Sequence, residues 1–189
     1  MKLNFRKMIT IAVVMCGIAI VPSAFAQDLE TGEVEATGAA GIVAGIGTHA
    51  TFAASAGKAV NDKVFVLGEF GYTPTGGSSF KNSNVSISSG GRAMSFMGGV
   101  QYQLAQRREF IPYVGGGLGV VRISGDAKTT TPGGTSTNSF SKSDFYANFG
   151  GGARYYVEDN WGFKPEFMIF AGNDTFVRFS VGLFYQFKR

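Results

Sequence analysis

The sequence predicts an all-β chain: an eight-stranded antiparallel up-and-down transmembrane β-barrel, preceded by a cleaved signal peptide. Three observations carry that expectation. From Thr175 to Phe187 one parity is apolar (Val177, Phe179, Val181, Leu183, Tyr185, Phe187) while the other mixes in polar and small residues (Phe176, Arg178, Ser180, Gly182, Phe184, Gln186). A period of two marks a strand with different surroundings on its two faces. The stretch is 13 residues long, whereas ordinary strands average about 5–6 and a tilted membrane-crossing strand needs about 9–11. Finally, few charges fall inside the predicted strands, and connections two, four and six are short while three and five are long, as in barrels that keep tight turns on one side of a membrane; connection one is intermediate and connection seven, short, breaks the trend.

Residues 1–26 have the layout of an export signal. Lys2, Arg6 and Lys7 precede an uncharged run from Met8 to Val21, and Ala24 and Ala26 form a small-residue site, so cleavage is expected after Ala26. The competing reading, a retained anchor, meets a length problem: the run holds 14 residues, and a spanning helix needs about 20. The sole cysteine, Cys16, lies in this segment, and Val13-Val14-Met15 before it lacks the small residues of a lipoprotein acylation site. The mature chain therefore offers no disulfide, thiolate metal site or cysteine nucleophile.

Removing the signal leaves 14 basic against 13 acidic residues, so the formal charge of +4 belongs largely to the leader. Without a basic face, nucleic acid is excluded as a partner. Residues 27–189 make one domain by length. With 28 glycines, 18 phenylalanines and 7 tyrosines, its composition suits sheet, since glycine is poor in helices and aromatics favour strands.

Gln27 to Gly32 is an acidic lead-in without periodicity. Strand one is expected over Glu33 to Val43 and strand two over Thr51 to Val60, followed by the turn residues Asn61-Asp62. Strand three covers Lys63 to Tyr72, and the Gly-, Ser- and Asn-rich stretch Thr73 to Gly91 is expected to be a long flexible loop. Strand four, Arg92 to Ala105, ends at the charged turn 106–109. Strand five, Phe110 to Ser124, leads into a second polar loop, Gly125 to Ser143. Strand six, Asp144 to Val157, turns at Glu158-Asp159-Asn160 into strand seven, Trp161 to Ala171, and 172–174 passes the chain to strand eight. Tyr102, Phe110, Tyr113, Tyr155, Trp161, Phe163, Tyr185 and Phe187 cluster near the short-turn ends, the place of an interfacial aromatic girdle.

If the apolar parity meets lipid, strand seven turns Trp161, Phe163, Phe167 and Ile169 outward. The interior then receives Glu35, Thr37, Glu69, Gln101, Gln103, Asn148, Arg154, Lys164, Glu166 and Arg178. Three acids (Glu35, Glu69, Glu166) balance three bases (Arg154, Lys164, Arg178). Unpaired charges in a narrow interior are costly, so a paired network is expected. Glycines 115, 116, 117 and 119 leave the facing of strand five open. Eight strands enclose just enough space for side chains, which disfavours a general-diffusion pore.

The signal segment, the eight amphipathic strands, Gly68-Glu-Phe-Gly-Tyr-Thr-Pro74 and the aromatic final strand resemble the small OmpA/OmpX-type outer-membrane β-barrel family (outer membrane protein beta-barrel domain). The resemblance implies export through the periplasm, residence in the bacterial outer membrane and insertion by the outer-membrane assembly machinery. That machinery recognises a final strand ending in an aromatic; here Phe187 is followed by Lys188 and Arg189. Larger members carry a peptidoglycan-binding domain after the barrel, a role not expected of a chain that stops at 189.

No cofactor is expected. His49, the only histidine, raises the possibility of a lipid A-modifying barrel enzyme with Ser55 or another serine, but no acid stands at a readable spacing. The Gly-rich segment 115–119 lacks the Gly-Lys-Ser/Thr of a phosphate loop, and the glycosylation patterns at Asn84 and Asn173 have no role in a bacterial envelope. Lys81, Arg92, Arg122, Lys128 and Lys142 fall in or near the long connections, against Asp126, Asp144 and Asp174; of these, Arg92 and Arg122 are candidate contacts for the phosphates of lipopolysaccharide. The leading expectation is a non-enzymatic integral outer-membrane protein with a structural or surface-interaction role, whose extracellular loops 73–91 and 125–143 meet an unknown partner. The alternatives are a narrow or gated channel, a lipid-modifying enzyme and a soluble lipocalin-like binder.

Overall fold

A computed structural model describes residues 31–45, 47–82, 85–104, 109–132 and 134–187, with side chains at 78–87 left aside; the signal and its cleavage site lie outside this range. Eight strands follow one another in a closed antiparallel ring, each paired with its chain neighbours and β1 with β8. They are β1 (Val34–Ala44), β2 (His49–Ala59), β3 (Val64–Asn82), β4 (Val85–Gln103), β5 (Phe110–Thr131), β6 (Gly134–Glu158), β7 (Trp161–Ala171) and β8 (Thr175–Phe187). Closure gives every strand a hydrogen-bonded neighbour on both edges, the condition for crossing hydrocarbon with strands.

The outward parity is apolar around the whole ring. Ile42, Phe52, Phe70, Phe96, Leu118, Phe149, Phe167 and Leu183, one from each strand, are all exposed, Leu118 by 71%. A belt of that size in water would drive association; against acyl chains it is the favourable surface. In β8 exposure and burial alternate along the strand, with Phe176, Arg178, Ser180, Gly182, Phe184 and Gln186 inside. In β5, Ile111, Tyr113 and Val121 point in while Val114 and Leu118 point out, which settles the facing that glycine had obscured.

Glycine at Gly117 and Gly119 is a steric requirement: a Cβ there would run into the carbonyls of Gly98 and Phe96 on β4. Tyr113 departs from the girdle expectation. It is 2% exposed and fills the lumen, since it shares a face with Ile111 and Val121 and not with its aromatic neighbour Phe110.

Neither long connection is a loop. Residues 73–91 continue β3 and β4 as a paired hairpin down to Asn82↔Val85, with a register shift between Pro74 and Gly77. Residues 125–143 likewise continue β5 and β6 down to Thr131↔Gly134. These extensions are mostly Ser, Thr, Gly and Asn, so no regular apolar alternation announces them, yet backbone pairing needs no apolar face. The extensions also pair with each other, from Arg92↔Ser124 to Ser86↔Thr130. β3–β6 therefore rise as one tall wall, while β1–β2 and β7–β8 close through 45–48 and 172–174. At the opposite end the turns at 60–63 and 159–160 are tight; Asn61 Oδ1 accepts hydrogen bonds from the Lys63 and Val64 amides at 2.9 Å, the local chemistry that favours asparagine there. β1 is shifted by one residue at each end, β2 starts two residues earlier and ends one earlier, and β4 ends two residues earlier than expected, which places His49 as the first residue of β2, opposite Val43.

Candidate functional site

The lumen holds two ionic clusters beneath an apolar cap. In the first, Glu35 on β1 receives Arg154 Nε at 2.6 Å and Lys164 Nζ at 3.0 Å. Arg154 Nη2 also donates to Gln101 at 2.8 Å, and Gln186 Nε2 donates to Glu35 Oε2 at 3.3 Å. Thus one carboxylate on the first strand is shared with β6, β7 and β8. Phe65 and Tyr113 lie 4.9 and 5.0 Å from the Arg154 guanidinium, sheathing a side chain that is 0% exposed.

In the second cluster Arg178 on β8 forms two bonds to Glu69, at 2.6 and 2.8 Å, and one to Glu166 at 2.9 Å. Tyr113 donates its hydroxyl to the other Glu166 oxygen at 2.8 Å. Gly152 makes this possible, because a Cβ there would lie 2.6 Å from that hydroxyl. Strand alternation aims these side chains inward, and glycines on the facing strands leave the width they need.

Above Arg178 the lumen turns apolar. Val43, Met97, Val121, Tyr146, Met168, Phe170 and Phe176 form one buried cluster, with Phe170 and Phe176 stacked at 4.6 Å and Arg178 5.2 Å from the Phe170 ring. At the short-turn end, Ile111, Tyr156 and Phe184 pack together. Two small voids remain along this column, one of about 10 Å³ beside Glu69, Lys164 and Glu166 and one of about 20 Å³ beside Thr51 and Arg178. Each has room for about one water molecule.

All six charged residues read as interior thus meet a partner of opposite sign. Thr37 donates to Glu35 at 3.3 Å, and Asn148 and Gln103 are buried. Sequence reasoning missed Tyr113, Gln186 and the apolar cap. The cap had left a trace in Phe176, an aromatic on the polar parity of β8; Tyr113 and Gln186 become visible only with the register.

Arg92 and Arg122 sit in β4 and β5, within the strands expected to hold them, and face outward on the tall wall with Ser124 and Asp126. Lys142 takes no part: its Nζ lies 2.8 Å from Asp144 Oδ2, and that hydrogen bond holds the ammonium above its ordinary pKa. His49 and Ser55 are not brought together, being six residues apart on β2, or roughly 20 Å of strand. No group of three His, Cys, Asp or Glu among the described residues could hold a metal ion.

The family model of the outer membrane protein beta-barrel domain matches residues 11–187. The chain belongs to that family. It is accordingly an outer-membrane protein, and the paired ends of its long hairpins are part of a family barrel. No curated protein matches it by sequence. Among solved structures it is similar to Ail, the attachment invasion locus protein of Yersinia pestis, in complex with the heparin analogue sucrose octasulfate (20% identity, TM-score 0.58, covering 84% of this chain and 99% of that one). It is also similar to the N-terminal barrel domain of Pseudomonas aeruginosa OprF (17%, TM-score 0.52, 83% and 98%). A third likeness is to Neisserial surface protein A (16%, TM-score 0.52, 82% and 96%). These likenesses are of fold.

Proposed function

We propose that this outer-membrane barrel is non-enzymatic and closed to solutes, and that it acts at the cell surface through the tall β3–β6 wall. The observation that carries the reading is the filled lumen: an apolar cap over two ionic clusters whose opposite net charges cancel, with small voids of about 10 and 20 Å³ along the column. A plugged barrel keeps a rigid scaffold under its extracellular hairpins, and surface recognition resides on such projections. The outward pair Arg92 and Arg122 supports a contact with lipopolysaccharide phosphates, guanidinium being suited to bidentate binding of phosphate. The aromatic end of β8 at Phe187 supports delivery by the outer-membrane assembly machinery.

Planar-bilayer recording tests the closed lumen. Wild type and Glu69→Gln are both expected to be silent; steps in wild type that change in Glu69→Gln would establish a channel gated by the ion pairs. Lipid A deacylation abolished by His49→Ala would overturn the non-enzymatic reading.

A further inference from the structure

We infer that the outward face of β4–β6, just beyond the apolar belt, binds the phosphorylated sugar headgroup of an outer-leaflet glycolipid, and that Asp126 makes the site refuse densely charged polyanions. The inference rests on reading Arg92 and Arg122 as lipopolysaccharide contacts, and it names what they select.

The register fixes the height of the site. Phe70, Phe96, Val120 and Phe145 are directly opposed across β3, β4, β5 and β6 and face out as one row. Two residues further along, roughly 7 Å higher on the same face, come Tyr72, Met94, Arg122 and Ser143. The next row holds Pro74, Arg92, Ser124 and Ser141, and the one above it Gly90, Asp126 and Ser139. The basic side chains therefore begin one row above the last wholly apolar row, beside Tyr72, at the level where lipid ends and headgroup begins. On β1, β2, β7 and β8 the outward positions Ile42, Ala50, Ile169 and Val177 carry no charge. The feature belongs to one wall.

Arg92 faces Ser124 directly, so Arg122 and Asp126 are its diagonal neighbours, at about 7–8 Å. A cleft of about 470 Å³ runs between them, lined by Tyr72, Arg92, Arg122, Ser124, Asp126 and Ser141. That volume suits a sugar-sized group, since small-molecule sites run to about 300–1,000 Å³. The ion pairs of the described residues all lie elsewhere, so these three charges are available.

Two guanidiniums at this separation converge on one phosphate or a closely spaced pair, with their aliphatic stems lying along the belt. The serine hydroxyls donate to and accept from sugar hydroxyls, and the Asp126 carboxylate accepts from them. A carboxylate at the edge of a basic pair also repels a ligand charged at every position, and such a repulsive element sharpens selectivity. Height and charge pattern together favour a lipid-borne sugar phosphate over a soluble sulfated glycan.

The test uses the full mature chain in detergent with three probes: a bisphosphorylated lipid A–core glycolipid, the same glycolipid dephosphorylated, and sucrose octasulfate. Wild type should bind the phosphorylated form at least tenfold more tightly than the dephosphorylated form, and Arg92→Gln/Arg122→Gln should erase that ratio. Asp126→Asn should raise affinity for sucrose octasulfate severalfold without raising it for the glycolipid. The inference is overturned if wild type ignores the phosphates, if the double variant keeps the ratio, or if wild type binds sucrose octasulfate as tightly as the glycolipid. Wild type that retains no glycolipid at all removes the lipopolysaccharide contact itself, whereas retention indifferent to phosphate removes only this assignment. All three residues are exposed, and unchanged gel migration with and without boiling shows that each variant is folded.

Discussion

The same four strands, β3 to β6, live in two solvents. Low in the barrel their two faces part company: Leu118 and Phe149 meet lipid while Tyr113 and Arg154 are enclosed. Higher up, from Ser136 to Phe140, successive residues of β6 are exposed on both faces. The backbone ladder runs through both regions without interruption. Pairing thus sets where a strand can continue, and the contrast between its surroundings sets whether alternation is written into its side chains.

The largest departures are expected where the contrast is enforced by charge. Glu35→Gln leaves Arg154 and Lys164 without their shared carboxylate, and removing one partner of a buried pair costs about 3–5 kcal/mol. Urea unfolding in detergent micelles should show that loss, whereas Lys142→Gln on the exposed wall should leave the unfolding midpoint unchanged. An equal, small effect at both places would mean that the lumen is hydrated and the two regions are electrostatically alike.

Next comes the lipid face. Val181→Arg, at the middle of β8 and outward, should destabilise the barrel by about 2–4 kcal/mol in bilayers. Ser139→Arg, outward on the tall wall, should leave it unchanged. Comparable losses at the two sites would place both in one medium.

Smaller still is a pair of glycines. A Cβ at Gly152 would press on Tyr113 and the Pro165 carbonyl, while one at Gly68 meets nothing. Gly152→Ala is therefore expected to cost about 1–3 kcal/mol through overpacking. Gly68→Ala should stabilise by roughly 0.4–1 kcal/mol, because it restricts the unfolded chain at no native cost. Thermal shifts of opposite sign would sharpen the comparison; shifts of the same sign would contradict it.

This division explains what was legible in the sequence. β7 and β8 were readable to the residue, because lipid on one side and ions on the other impose a strict period of two. The extensions at 73–91 and 125–143 were not, since water on both sides permits Ser, Thr, Gly and Asn anywhere and the composition then resembles a loop. In the candidate site, the identities of Glu35, Arg154 and Arg178 followed from parity, whereas Tyr113 hydrogen-bonding Glu166 depends on bringing β5 and β7 across a lumen that no local pattern measures. Arg92 and Arg122 were candidates by residue type and position alone, and only the register set them diagonally on one face.

The central claim is that the apolar parity touches acyl chains and the ionic parity is enclosed. Tryptophan scanning along β8 in a Trp161→Phe background, read as quenching by brominated lipids, addresses it directly. Tryptophan at Phe179, Val181 and Leu183 should be strongly quenched, and at Phe184 and Phe176 it should stay bright. Quenching at Phe176 and Phe184 with bright signals at Val181 and Leu183 would turn the barrel inside out and contradict the account.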